Sequence, residues 1–110
     1  MHFVVDDADS HLNITVTEAR IDAAIATQFK DALRAIVMKS HKPVHLDLRH
    51  VDFMDSSGLG AMIAVRKSLP DSLPMVLLAV TPNVERVFRL TRMDSVFEIR
   101  PPQMQETPRE

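Results

Sequence analysis

Apolar residues fall with two different periods along this chain, and the periods lay out its elements. Leu12, Ile14 and Val16 alternate with Asn13, Thr15 and Thr17. That period of two, carried by β-branched residues, predicts a strand covered on one face. The short run Phe3 to Val5 predicts an edge strand, close enough in sequence to form a hairpin with it. Ile25, Phe29, Ala32, Leu33, Ile36 and Val37 then recur at helical spacing. Asp22 is placed to cap that helix and Lys39 to favour its C-terminal dipole, and Pro43 forbids its continuation. Val44, Leu46 and Leu48 alternate with His45 and Asp47, predicting a third strand.

Leu59, Met62, Ile63 and Leu69 give a second helix its apolar face, while Gly58, Ala61, Val65 and Ser68 form a stripe of smaller side chains. Met75 to Val80 is continuously apolar between prolines, the pattern of a strand buried on both faces of a parallel sheet. Thr81 is placed to cap a third helix with Pro82 in its first turn, and Val84, Val87, Phe88 and Thr91 are expected to face inward. Val96 to Ile99 suggests a last short strand. The order β-β-α-β-α-β-α, with that final strand, predicts an α/β fold with a mixed, largely parallel sheet of four to five strands and three to four α-helices. Residues 1–100 form a single domain in this reading, and 101–110, polar and proline-bearing, form a disordered tail.

Composition narrows the chemistry. The 110 residues carry a net charge of −2, no cysteine, no tryptophan and no tyrosine. No basic footprint or stacking platform for nucleic acid is visible, and a thiolate metal site or cysteine nucleophile is excluded. The apolar runs are too short to insert into a membrane, and the opening residues lack the basic and apolar regions of a signal peptide. The expectation is a cytoplasmic domain.

Only two glycines occur where average usage would give roughly eight. Both lie in Met54-Asp55-Ser56-Ser57-Gly58-Leu59-Gly60, between the third strand and the second helix. Sites in such folds lie beyond the carboxyl ends of the strands. A dinucleotide loop would need a small residue where Ile63 stands, and the phosphate-loop lysine is absent. Ser56 and Ser57 are outside a nucleophile elbow, and the spacing of His2, His11, His41, His45 and His50 aims none of them at Ser57. No histidine pair sits one turn apart on a helix, so no metal is expected, and no cofactor either.

Asp55, Ser56 and Ser57 suit a helix cap, and a helix N-terminus tolerates a phosphate through its free N–H groups and dipole, by about 0.3–1 kcal/mol. Phosphorylated Ser57 would add about −1.5 to −2 charge to a surface made of Gly58, Gly60, Ala61 and Val65. The fold would bear that charge and an interface packed there would not.

Val44-His45-Leu46-Asp47-Leu48, followed by Val51-Asp52-Phe53-Met54-Asp55-Ser56-Ser57-Gly58-Leu59-Gly60, resembles the STAS domain of bacterial anti-sigma factor antagonists. Arg20-Ile21-Asp22 resembles that family's turn into its first helix, and Val84 to Phe97 its last helix and closing segment. The resemblance implies a STAS-like fold and a non-enzymatic, partner-switching regulator. Unphosphorylated, such a protein binds an anti-sigma factor that is also a serine kinase. The kinase phosphorylates the serine before the glycine, here Ser57, binding is lost, and a metal-dependent serine phosphatase reverses the change. The implied partner surface is Asp22, Asp55, Ser56, Ser57, Gly58, Leu59 and Gly60, with Asp55 and Ser56 shaping the turn. The chain departs from the pattern at three turns where the family often has glycine: Glu18-Ala19-Arg20, Leu69 to Pro74, and near Arg92. Two alternatives stay open: an accessory subunit of a membrane transport assembly, and a nucleotide-binding module of the same family.

Overall fold

The computed structural model of the protein describes residues 1–100. The tail expected over 101–110 lies outside the described residues. Strands β1 (Phe3–Asp7) and β2 (Leu12–Val16) form the expected antiparallel hairpin, with Phe3 opposite Val16. After the two-residue β3 (Arg20–Ile21) comes helix α1 (Ala26–Ser40), then β4 (Val44–Asp47), the two-residue β5 (Phe53–Met54) and helix α2 (Ser56–Lys67). Strand β6 (Met75–Leu78), helix α3 (Pro82–Leu90), a 3₁₀ turn at Met93–Ser95 and β7 (Glu98–Arg100) complete the chain. The main sheet has five strands in the order β1-β2-β4-β6-β7, all its pairs parallel except the opening hairpin. This is the mixed sheet with three helices that the patterning predicts.

Burial follows the same periods. Leu12, Ile14, Val16, Val44 and Leu46 are buried and join Phe29, Leu33 and Val37 of α1 and Met62 and Val65 of α2 in one core. The alternate positions Asn13, Thr15, His45 and Asp47 are only half-buried. Met75, Val76 and Leu77 are successively buried, as expected of a continuously apolar strand.

Four local expectations are corrected. Helix α1 begins at Ala26 with Ile25 at its N-cap and no side-chain cap. Asp22 acts one turn earlier: its Oδ1 accepts from the Ala24 N–H at 3.1 Å, and its carbonyl accepts from Ile25 and Ala26. Thr81 occupies the N-cap of α3, but its hydroxyl donates to the Val51 carbonyl at 2.7 Å, tying α3 to the β4–β5 connection instead of capping. Thr91 is exposed, its hydroxyl turned back onto the Val87 carbonyl at 2.7 Å. Val96 is 42% exposed, and the closing strand starts two residues later, at Glu98, after Phe97 has packed its ring edge-on to Phe88.

A second sheet was not anticipated. Strands β3 and β5 pair in parallel, Arg20 opposite Phe53 and Ile21 opposite Met54. Two residues cannot display a period, so no pattern reveals them. This small pair brings the turn before α1 against the turn before α2, and so positions the site.

Neither glycine has positive φ, whereas His41, Ala79 and Arg92 do. An L-residue in that region costs about 1–2 kcal/mol, partly offset when glycine's extra unfolded-state freedom, about 0.4–1 kcal/mol, is counted. Ala79→Gly and Arg92→Gly are therefore each expected to raise stability by about 0.5–1 kcal/mol. Urea unfolding checks this, and a loss of stability in both would contradict the backbone assignment.

Candidate functional site

The stretch of interest opens α2 directly. Asp55 is the N-cap with extended backbone, and Ser56 and Ser57 occupy the first turn of the helix. Asp55 Oδ1 accepts from the Gly58 N–H at 2.9 Å and Oδ2 from the Ala23 N–H at 3.1 Å. One carboxylate thus fastens the first turn of α2 to the loop that leads into α1. The Gly58 N–H holds the Asp55 carboxyl below the usual carboxylate range, against partial desolvation, with the N–H groups of Ala23 and Ser57 adding to the effect. Asp22 lies alongside, its Oδ2 accepting from Arg20 Nε at 3.2 Å.

Gly58 is where the two turns touch. A Cβ built there would lie 2.1 Å from the Ile21 carbonyl oxygen and 3.0 Å from Met54 Cγ. The glycine is required by the close approach of the β3 backbone, not by its own dihedral angles. Gly60 is different: nothing lies within 4 Å of its missing Cβ.

The surface at the turn is narrower than the sequence implies. Ser56, Ser57 and Gly60 are exposed, Asp22 and Asp55 are half-buried, and Gly58 and Leu59 are buried. Leu59, expected at the partner surface, faces the core because it lies one turn before Met62 and Ile63 on the inner side of the helix. Ala61 and Val65 are likewise buried, at 6% and 0% exposure, so of the expected surface of Gly58, Gly60, Ala61 and Val65 only Gly60 is exposed.

Two features escaped the sequence. The Arg20 guanidinium lies 4.7 Å from the centroid of the Phe53 ring, which is 42% exposed, making a cation–π shelf on the small sheet. A shallow cleft of about 200 Å³ opens beside Ser57, between the first turns of α1 and α2, with Lys30 and Thr27 on its α1 side. The shelf needs the β3–β5 pairing, which leaves no periodic signal, and the cleft needs α1 packed beside α2.

No histidine is hydrogen-bonded to Ser57 among the described residues. His11 and His45 stack with ring centroids 4.1 Å apart near the starts of β2 and β4, the opposite end of those strands from the turn. Burial, and then the neighbouring His11, lowers the His45 pKa. No group of three or more candidate ligands could hold a metal ion, and no helix is long and apolar enough to cross a membrane, among the described residues.

The backbone contact and the carboxylate make separate demands. Gly58→Ala is expected to cost at least about 2 kcal/mol, because the obstructing atom is backbone, whereas Gly60→Ala should gain about 0.5–1 kcal/mol of helix stability. Denaturant melts of the pair decide this, and equal effects would contradict the Ile21 contact.

Asp55 ionises more readily folded than unfolded, so its contribution is present above the unfolded carboxylate value, about 3.9, and is lost as pH falls through the lower folded value. Asp55→Asn should accordingly be less stable than the natural chain at neutral pH. The gap should close on acidification below about pH 4, and a gap independent of pH would count against the capping geometry.

Comparison with known proteins agrees with this architecture. A family model for the STAS domain matches residues 3–107. The anti-sigma-B factor antagonist of Listeria monocytogenes is 33% identical over 91 residues, covering 82% of this chain and 79% of that protein. The crystal structure of an anti-sigma factor antagonist from Mycobacterium paratuberculosis is 28% identical, with a TM-score of 0.79 over 91% of this chain and 85% of that one. Bacillus SpoIIAA in its phosphorylated form shares the fold at 16% identity, with a TM-score of 0.64 over 94% of this chain and 95% of that one.

Proposed function

The chain belongs to the STAS domain family, and from that premise we propose that it is an anti-sigma factor antagonist switched by phosphorylation of Ser57. The observation that carries the reading is an exposed hydroxyl on a turn bonded and packed from beneath. Ser57 lies in the first turn of α2, and Asp55 and the Gly58 contact hold that turn from below. A kinase needs the acceptor hydroxyl presented without the fold having to open, because proximity and orientation supply much of such a reaction's rate.

Unphosphorylated, the chain binds an anti-sigma factor serine kinase through Asp22, Ser56, Ser57 and Gly60, with Asp55 shaping the turn beneath them. The partner transfers a phosphoryl group from ATP to Ser57 Oγ, the hydroxyl proton leaves, and ADP is released. The product carries about −1.5 to −2 charge at the centre of the contact. A charge left unpaired in an interface costs about 2–5 kcal/mol. That corresponds to a loss of affinity on the order of thirty- to several-thousand-fold. A metal-dependent serine phosphatase restores the binding form. The chain itself catalyses nothing, and an ATP-dependent circuit of this kind operates in the cytoplasm.

Incubation with ATP and the anti-sigma factor kinases of the same cell, followed by mass spectrometry, should place one phosphoryl group on Ser57 and none on Ser57→Ala. The Ser57→Asp chain should lose its partner in pull-down while melting at the temperature of the natural chain. Phosphorylation of Ser57→Ala at the natural rate would sink the assignment.

A further inference from the structure

We propose that Lys30 is the internal counter-charge of phosphorylated Ser57, and that the cleft between α1 and α2 is the seat of the phosphoryl group. The proposal rests on the reading that Ser57 is phosphorylated, and adds where the phosphate goes.

Helix N-termini ordinarily receive anions through their free N–H groups. Here that provision is shared with a resident anion: Asp55 takes the Gly58 N–H. A phosphate on Ser57 therefore meets a negative charge already seated at the helix end. A side-chain cation nearby would offset it.

One side chain is placed for it. Ser57 and Lys30 line the same cleft, of about 200 Å³, with Thr27 beside Lys30 and Gly60 and Ala64 along α2. Lys30 is the cleft's only ionisable lining residue. It is half-buried and makes no ion pair among the described residues. An ammonium on a long flexible stem can follow a phosphate that appears and disappears.

Gly60 supplies the space. It stands one turn after Ser57 on the same side of α2, inside a helix, where glycine is disfavoured. No packing neighbour demands it, since nothing lies within 4 Å of its missing Cβ. A side chain there would project into the cleft beside Ser57. The phosphate then does two things at once: it pairs with Lys30, and it fills the cleft that an unphosphorylated chain leaves open to a partner.

The test needs no kinase. Phosphoserine is incorporated at position 57 during translation, and the phosphate is titrated by phosphorus NMR in the natural, Lys30→Met and Lys30→Arg backgrounds. A cation beside the phosphate favours its dianion, and the Asp55 carboxylate opposes it in every background, so the comparison between backgrounds isolates Lys30. Lys30→Met should raise the second ionisation by about half a unit to one unit over the natural background, and Lys30→Arg should leave it where the natural chain has it. An unchanged titration in Lys30→Met overturns the proposal. A phosphorylated chain that still binds its partner would sink the switching function and leave this titration standing, so the two failures are distinguishable.

Discussion

The geometry of the site depends on the β3 backbone lying against α2 at Gly58. The Ile21 carbonyl occupies the space a side chain would need. The β3–β5 pairing brings it there, and the Asp55 carboxylate, bonded to Gly58 on one side and Ala23 on the other, holds it. Because the same carboxylate serves both turns, neither can move without releasing the other. The exposed serines rest on this clamp. They are presented by structure that is buried beneath them and contributes almost nothing to the surface itself.

That division explains which parts of the site the sequence discloses. Alternation at Leu12 to Val16 and Val44 to Leu48 and helical spacing at Phe29 to Val37 follow from one-sided burial, and burial is what hydrophobic periodicity records. The serine turn is visible because it is followed at once by both of the chain's glycines. Leu59 shows the limit: its place in the motif suggests contact with a partner, whereas helical phase turns it inward with Met62. The β3–β5 pair is invisible because two residues have no period. With it goes the Arg20–Phe53 shelf. Asp22 and Thr81 read from the sequence as helix caps; the Asp22 carboxylate instead bonds the Ala24 N–H two residues on, and the Thr81 hydroxyl bonds the Val51 carbonyl, a partner that only the tertiary fold supplies.

Electrostatics at the turn also changes between the two views. From the sequence, the start of α2 is an open anion site. In the structure the chain's own Asp55 occupies part of it, its carboxyl held below the usual range by the N–H of Gly58 above all. A carboxylate that is a good cap is a poor neighbour for a phosphate. On the proposed reading, Lys30 of α1 offsets part of a phosphate's charge, and the fold's tolerance of that charge becomes a property of the α1–α2 pair as well as of one helix dipole.

Glycine usage connects these points. The backbone enters the left-handed region at His41, Ala79 and Arg92, where glycine would be easiest, and none of the three is glycine. Both glycines instead lie within α2, where each lowers helix stability. Selection for stability alone would place them the other way round. Packing accounts for Gly58, since no other residue fits against the Ile21 carbonyl. Packing does not account for Gly60. A residue that breaks a local rule without a structural gain marks a site where function sets the choice. Gly60 lies one turn from Ser57, on the cleft that Lys30 also lines. The position that the fold explains least thus lies beside the hydroxyl on which the proposed function depends.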